Sequence, residues 1–338
     1  MIRFFLSCLS LLFIQTLCAQ EIDTTTEDLI DYSQFGDAAG VKRFATQKVL
    51  NQTPNRIVSI GYEYQTAYRF PIVTPGTTQN FNSNRLAGIR AQVNVPVIST
   101  TKLIWQIGAN YWKSTPDFEE PTNNPFISKL EQNGLLTTGI NTTFFKPLNE
   151  KNFLIVQLSA DLNGVFETFS DIQTKAVTLS GTALYGWKQS DKNMYGVGIA
   201  RTYRAGQIIY VPIVLWNKTF NDQWGMELLL PARGHLRYNI STSNILQLGF
   251  ELEGNQFRMR DDGNGRAVYI QRGEFKPRIM WDKKLFGFIW LNAQAGLRYN
   301  WRFDVMNEYN ARKESQLIFN SPMSHPVYFS LSLNFVSP

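Results

Sequence analysis

From Arg56 onward, apolar and polar residues alternate with a period of two, and the segment LFGFIWLNAQAGLRYNWRF at 285–303 shows it at full length. One face carries Leu285, Gly287, Ile289, Leu291, Ala293, Ala295, Leu297, Tyr299, Trp301 and Phe303, without a charge. The other begins with Phe286, Phe288 and Trp290 and continues with Asn292, Gln294, Gly296, Arg298, Asn300 and Arg302. Strands of soluble domains run about 5 or 6 residues. A strand that crosses a bilayer needs about 9 to 11 residues and is flanked by aromatic girdles. Lipid on the first face and a polar lumen on the second account for both.

The pattern recurs along the chain. Val58, Ile60, Tyr62, Tyr64, Tyr68 and Phe70 form one apolar face, and Ala87, Ile89, Ala91, Val93 and Val95 another. Further faces are Leu103–Tyr111, Leu154–Leu162 and Leu246–Leu252, each at every second residue. Short polar turns are expected near 98–101, 147–151, 189–193, 218–222, 241–244 and 282–284. Connections that are mostly longer are expected near 71–83, 113–133, 167–175, 259–266 and 304–325. Short turns on one rim and long loops on the other mark an outer-membrane barrel. PARG at 231–234 supplies one further tight turn. The expected fold is therefore all-β, an antiparallel transmembrane β-barrel of about 14 strands over 56–338, with 12 as the alternative.

Composition agrees with this fold. The chain has 338 residues, 43% of them hydrophobic and 14% aromatic, and a mean hydropathy of -0.21. Past the N-terminus no apolar run is long enough for a transmembrane helix. The net charge of +6 is not gathered in a basic run, so no nucleic-acid partner is expected. MIRFFLSCLSLLFIQTLCA at 1–19 reads as a signal peptide, with lipidation of Cys18 as a poorer fit. Both cysteines, Cys8 and Cys18, fall within it, so the mature chain cannot depend on disulfides. Residues 20–55 read as a periplasmic extension or plug segment. The stretch IIYVPIVL at 208–215, apolar on both faces, suggests an inner packing partner, for which the N-terminal segment is the candidate.

Trp187, Trp216, Trp224 and Trp281 stand beside short turns, while Tyr111, Tyr299 and Trp301 stand toward the long loops, so two interfacial belts are expected. The closing strand VYFSLSLNF, with Phe335 near its end, resembles the signal read by the outer-membrane assembly machinery. That machinery and outer-membrane lipid are the expected partners. YVPIVLWNKTF at 210–220, LLLPARGHLRYNIS at 228–241 and GLRYNWRF at 296–303 resemble a family of outer-membrane β-barrels of Gram-negative bacteria grouped as a domain of unknown function. The resemblance covers most of 56–335 and implies the fold and the compartment, but no activity.

Candidate chemistry is sparse. His235 and His325 are the chain's histidines, both expected near the outer rim and neither near a nucleophile in sequence. DDGNG at 261–265 lacks calcium-loop spacing and reads as a turn. No cofactor, metal site or enzymatic activity is expected. Lipid on the apolar faces places Glu63, Arg69, Arg90, Glu251, Glu253, Arg272, Glu274, Lys276, Arg278, Arg298 and Arg302 in the lumen, where they either line a path or form a salt-bridged filling. A three-residue turn at Asp282, Lys283 and Lys284 sets Lys276 opposite Trp290 and Arg278 opposite Phe288, making the inner aromatics a platform for cations. A channel or transporter for small solutes is the leading expectation. A closed structural or adhesive barrel is the alternative, and an enzyme a distant third.

Overall fold

A computed structural model describes residues 44–119, 123–167, 173–260, 262 and 265–336. The stretch expected to be a signal peptide, residues 20–43 of the expected extension and most of DDGNG lie outside the described residues. Seventeen strand segments form one sheet. They are β1 (Arg56–Gln65), β2 (Tyr68–Thr74), β3 (Thr77–Ser99), β4 (Ile104–Phe118), β5 (Leu135–Pro147), β6 (Asn152–Val165), β7 (Val177–Ser190), β8 (Asn193–Thr202) and β9 (Ile209–Thr219). Then follow β10 (Trp224–Leu230), β11 (Arg233–Ser241), β12 (Asn244–Met259), β13 (Val268–Phe286), β14 (Ile289–Leu297), β15 (Tyr299–Met306), β16 (Leu317–Asn320) and β17 (Val327–Val336). The pairs β1/β2, β14/β15 and β16/β17 are single staves interrupted at 66–67, at Arg298 and at 321–326. The result is a closed antiparallel barrel of 14 strands. It closes where β17 meets β1, with Leu333 opposite Ile60.

The outer surface is apolar. Ile60, Leu248, Ile279 and Leu331 are each more than half exposed on it, an arrangement that water would penalise and lipid does not. Trp216, Trp224 and Trp281 lie outward beside short turns, and Trp187 packs between Tyr185 and Tyr195. Tyr299 and Trp301 lie outward toward the other rim, and Phe335 outward near the end of β17.

The barrel narrows along its length. The β10–β11 hairpin turns at 231–232, while β9 and β12 run on past it. The edge of β12 freed above the hairpin is taken by β6, which pairs with it in parallel through Gly164–Arg258 and Val165–Met259. An exposed edge of unpaired backbone groups is thereby satisfied. The outer half is thus a smaller ring of β2–β6, β12, β13, β15 and β16. Its interior is an apolar core that includes Phe70, Trp112, Phe118, Val165, Phe257, Met259, Ile270 and Phe303. A helix, α1 (Pro125–Asn133), buries Phe126, Ile127 and Leu130 in that core. Asn124 caps it, its side chain accepting from the backbone N–H groups of Phe126 and Ile127.

Several expectations are corrected by this arrangement. The stretch 285–303 is not one strand: β13 continues through Asp282, Lys283 and Lys284, and the chain turns at Gly287 and Phe288, where Gly287 has φ 47°. A glycine able to take positive φ fixes a tight turn, whereas charged residues near a rim extend a strand as readily as they end it. Phe286 and Phe288 are consequently exposed, Lys284 stands opposite Trp290, and Arg278 stands opposite Gly296. The interruption at 66–67 slips the phase by one residue, which turns every later side chain over. Tyr68 and Phe70 therefore point inward and Arg69 outward. A bulge of β15 opposite Gly273 and Glu274 acts likewise: Phe303 enters the apolar core, and Arg302 faces outward toward Asp304. The expected loop at 71–83 is the top of the β2–β3 hairpin, whose polar strands pair up to a turn at 75–76.

Candidate functional site

Besides the apolar core of the outer half, the described lumen holds two further layers. At the short-turn rim, which in outer-membrane barrels faces the periplasm, residues 44–55 run along the inner wall. Ala45 and Val49 pack on Phe145, Phe153, Met194, Ile213 and Leu215, so the doubly apolar stretch of β9 buries its inner face against this segment. The Ala45 N–H donates to Asn149 O (3.0 Å) and the Leu50 N–H to Asp191 O (2.8 Å). Lys188, buried, donates to Lys48 O (2.8 Å) and to the Thr46 hydroxyl. Glu227 accepts from both the backbone N–H (3.0 Å) and the hydroxyl (2.7 Å) of Thr53, and pairs with the fully buried Arg237 at 3.3 Å. The Lys48 ammonium donates to Thr53 O (2.8 Å). Its burial pushes its pKa down to about 8, with Glu227 acting in the opposite sense.

The middle layer is ionic. Glu63 receives Arg90 Nε at 2.7 Å and lies 3.4 Å from Arg298 Nη2, while Arg90 Nη2 reaches Glu253 at 3.0 Å. Lys276 pairs with Glu253 at 2.7 Å, Arg278 with Glu251 at 2.6 Å, and Glu274 accepts from Arg272 Nε at 2.9 Å and faces Arg298 Nε at 3.5 Å. Each carboxylate has at least one cation in reach, as charges withdrawn from water require. The ring that supports Lys276 and Arg298 is Tyr328, with centroid distances of 5.3 and 5.4 Å, and Arg272 lies 4.9 Å over Trp112. Trp290, expected as the platform, is instead buried with Ile245 and Val336 near the short-turn rim. Of the named inward candidates, the ten of Glu63, Arg90, Glu251, Glu253, Arg272, Glu274, Lys276, Arg278, Trp290 and Arg298 lie inside, while Arg69 and Arg302 do not.

Beside this ionic wall is a cavity of about 400 Å³. Its opposite wall, from β4 to β7, presents Asn110, Asn141, Gln157, Ser159, Asp161, Ser180 and Thr182. Its remaining boundary includes Ala232 at the tip of the short hairpin and Arg204 from the β8–β9 loop. That loop, at 203–208, crosses the place where the hairpin stops short and lies on the outer face of β12 and β13. Two glycines permit the approach: a Cβ at Gly254 would come within 2.3 Å of Arg204 O, and one at Gly206, where φ is 73°, within 2.9 Å of Arg272 N. Arg204 Nε donates to Leu252 O at 2.9 Å. Neither this loop nor Asp161 was singled out from the sequence. Asp161 carried the available signal, a charge on the polar side of the alternating stretch 154–162. Arg204 carried none, because the gap it covers depends on how high the neighbouring hairpin reaches.

The two histidines are far apart in role and setting. His235 lies inside, 3.4 Å from Arg278 Nη2, and His325 lies against Tyr299 with ring centroids 4.2 Å apart. Among the described residues no group of three or more His, Cys, Asp or Glu side chains could hold a metal ion.

A family model described as Domain of unknown function (DUF6268) matches residues 104–299. The chain belongs to this family. The matched part of the DUF6268 chain runs from β4 to β15 and contains the cavity's neutral wall, the β8–β9 loop and the ionic side chains of β12 and β13. Comparison with curated proteins gives no match. Among solved structures, the DUF6268 chain is similar to a FadL homologue of Pseudomonas aeruginosa, at 10% identity over 83% of this chain and 90% of that one, with a TM-score of 0.39. It is similar to an outer membrane channel from Pseudomonas putida F1, at 9% identity over 85% and 98%, with a TM-score of 0.37. A third is the toluene transporter TodX of Pseudomonas putida, at 10% identity over 86% and 92%, with a TM-score of 0.37. The DUF6268 chain is a closed antiparallel β-barrel with an apolar outer surface.

Proposed function

We propose that this barrel is a narrow channel or transporter for small polar solutes. The observation that carries the reading is the cavity of about 400 Å³ between an ionic wall and a wall of amides and hydroxyls. Such a lining replaces the hydration of a polar solute, whereas a barrel that served only as a scaffold could fill the same space with side chains. Residues 44–55 act in this reading as a plug held inside the periplasmic rim, and the final strand with Phe335 serves as the segment read during assembly. Purified protein in planar bilayers should conduct, and removal of residues 44–52 should raise the conductance. A second reading, a closed barrel acting through its outer loops, draws support from the apolar core that fills the narrowed outer half. Absence of conductance from both the intact and the shortened chain would favour that second reading.

A further inference from the structure

The charges bordering the cavity are not all matched. Glu251 and Glu253 are paired within the ionic wall, with Arg278, Arg90 and Lys276, and Arg272 is paired with Glu274. Two groups stand apart. Asp161, on the inner side of β6, receives the Asn110 amide at 2.9 Å and makes no ion pair among the described residues. Arg204, from the loop that covers the gap, gives its Nε to a backbone carbonyl at 2.9 Å and forms no ion pair among the described residues; Glu251 and Glu253 attract it from beyond ion-pair distance and are already paired with other cations. Both border the same space, Asp161 from the neutral wall and Arg204 from the covering loop.

From this we infer that the cavity is a binding site for a small zwitterion, an amino acid or short peptide, with its ammonium group at Asp161 and its carboxylate at Arg204. A neutral polyol would satisfy the amides and hydroxyls but give neither Asp161 nor Arg204 an ion pair. A simple anion would answer Arg204 and bring a like charge toward Asp161. A solute carrying both signs completes both groups, and Asn141, Gln157, Ser180 and Thr182 remain to hydrogen-bond its peptide backbone. The space suits such a solute, since small-ligand sites span about 300 to 1,000 Å³. The inference rests on the cavity being a solute site, as the channel reading holds, and adds the class of solute.

The test is calorimetric titration of the full chain in detergent micelles with four probes: dialanine, N-acetyl-dialanine, dialanine amide and glucose. Dialanine should bind, and each capped form should bind more weakly by on the order of tenfold, the worth of one charge-assisted hydrogen bond. Asp161→Asn should remove the preference over the acetylated form alone, and Arg204→Gln the preference over the amide alone. Both variants should keep the heat-modifiable gel mobility of a folded barrel. The inference is overturned if dialanine binds no better than glucose, or if the capped forms bind as well as the free dipeptide. Potassium chloride conductance, recorded in parallel, separates the two claims. Conductance without charge-selective binding sinks the zwitterion site and leaves the channel; charge-selective binding without conductance does the reverse.

Discussion

Thr53 gives both its backbone N–H and its hydroxyl to one oxygen of Glu227, at 3.0 and 2.7 Å. These bonds, to a carboxylate on β10, fasten the N-terminal segment inside the barrel. Thr53→Val removes the hydroxyl bond while keeping the shape of the residue. The segment should loosen by about 1.5 to 3 kcal/mol, the range for a hydrogen bond to a charged group. Limited proteolysis of 44–55 should accelerate by tenfold or more on the order given by that energy. Unchanged cleavage would show that Glu227 does not hold the segment.

Docking of the same segment should depend on pH through Lys48. Burial lowers its pKa from 10.5 to about 8. A base whose pKa is depressed in the docked form binds fewer protons there than when free, so docking strengthens as pH rises between 8 and 10.5 and sits at its weaker plateau below 8. Glu227, Arg237 and Lys188 are the charged groups around it. Hydrogen exchange of 44–55 should be slower at pH 9.5 than at pH 7 after correction for the intrinsic rate, and Lys48→Met should reduce the difference.

Within the ionic layer, Glu63 is the carboxylate shared by Arg90 and Arg298. Glu63→Gln leaves two cations short of a counter-charge and should cost about 3 to 5 kcal/mol, as for other broken buried pairs. Glu150→Gln, in an exposed turn, should change stability by no more than about 0.5 kcal/mol. Urea unfolding in micelles measures both, and equal effects would mean that the layer is hydrated and interchangeable.

Lipid exposure predicts a different asymmetry. Leu248 is 59% exposed on the outer face of β12, and Leu248→Arg should cost about 2 to 4 kcal/mol near the membrane midplane. Gln294 lies inward, bonded to Asn292 at 2.7 Å, and Gln294→Arg should cost clearly less. A smaller loss at Leu248 than at Gln294 would reverse the assignment of faces.

Alternation along the chain determined the architecture by itself, because the period of two reports which solvent lies on each side of a strand, and lipid admits no ambiguity over long runs. The barrel of about 14 strands and the outward tryptophans beside the short turns follow from that local signal. Residue facing was legible only as far as the phase held. Arg69, Phe303 and Arg302 depart from the alternation because a one-residue slip at 66–67 and a bulge on β15 invert the pattern without altering composition. Trp290 lost its expected cation because Gly287, rather than the charged stretch before it, sets the turn. The narrowing of the barrel, the β6–β12 pairing and the approach of Arg204 to Asp161's cavity were decided by tertiary structure alone. They depend on how far each stave rises beside its neighbours, a relation between residues such as Gly164 and Arg258 that are distant in sequence and that no local pattern encodes.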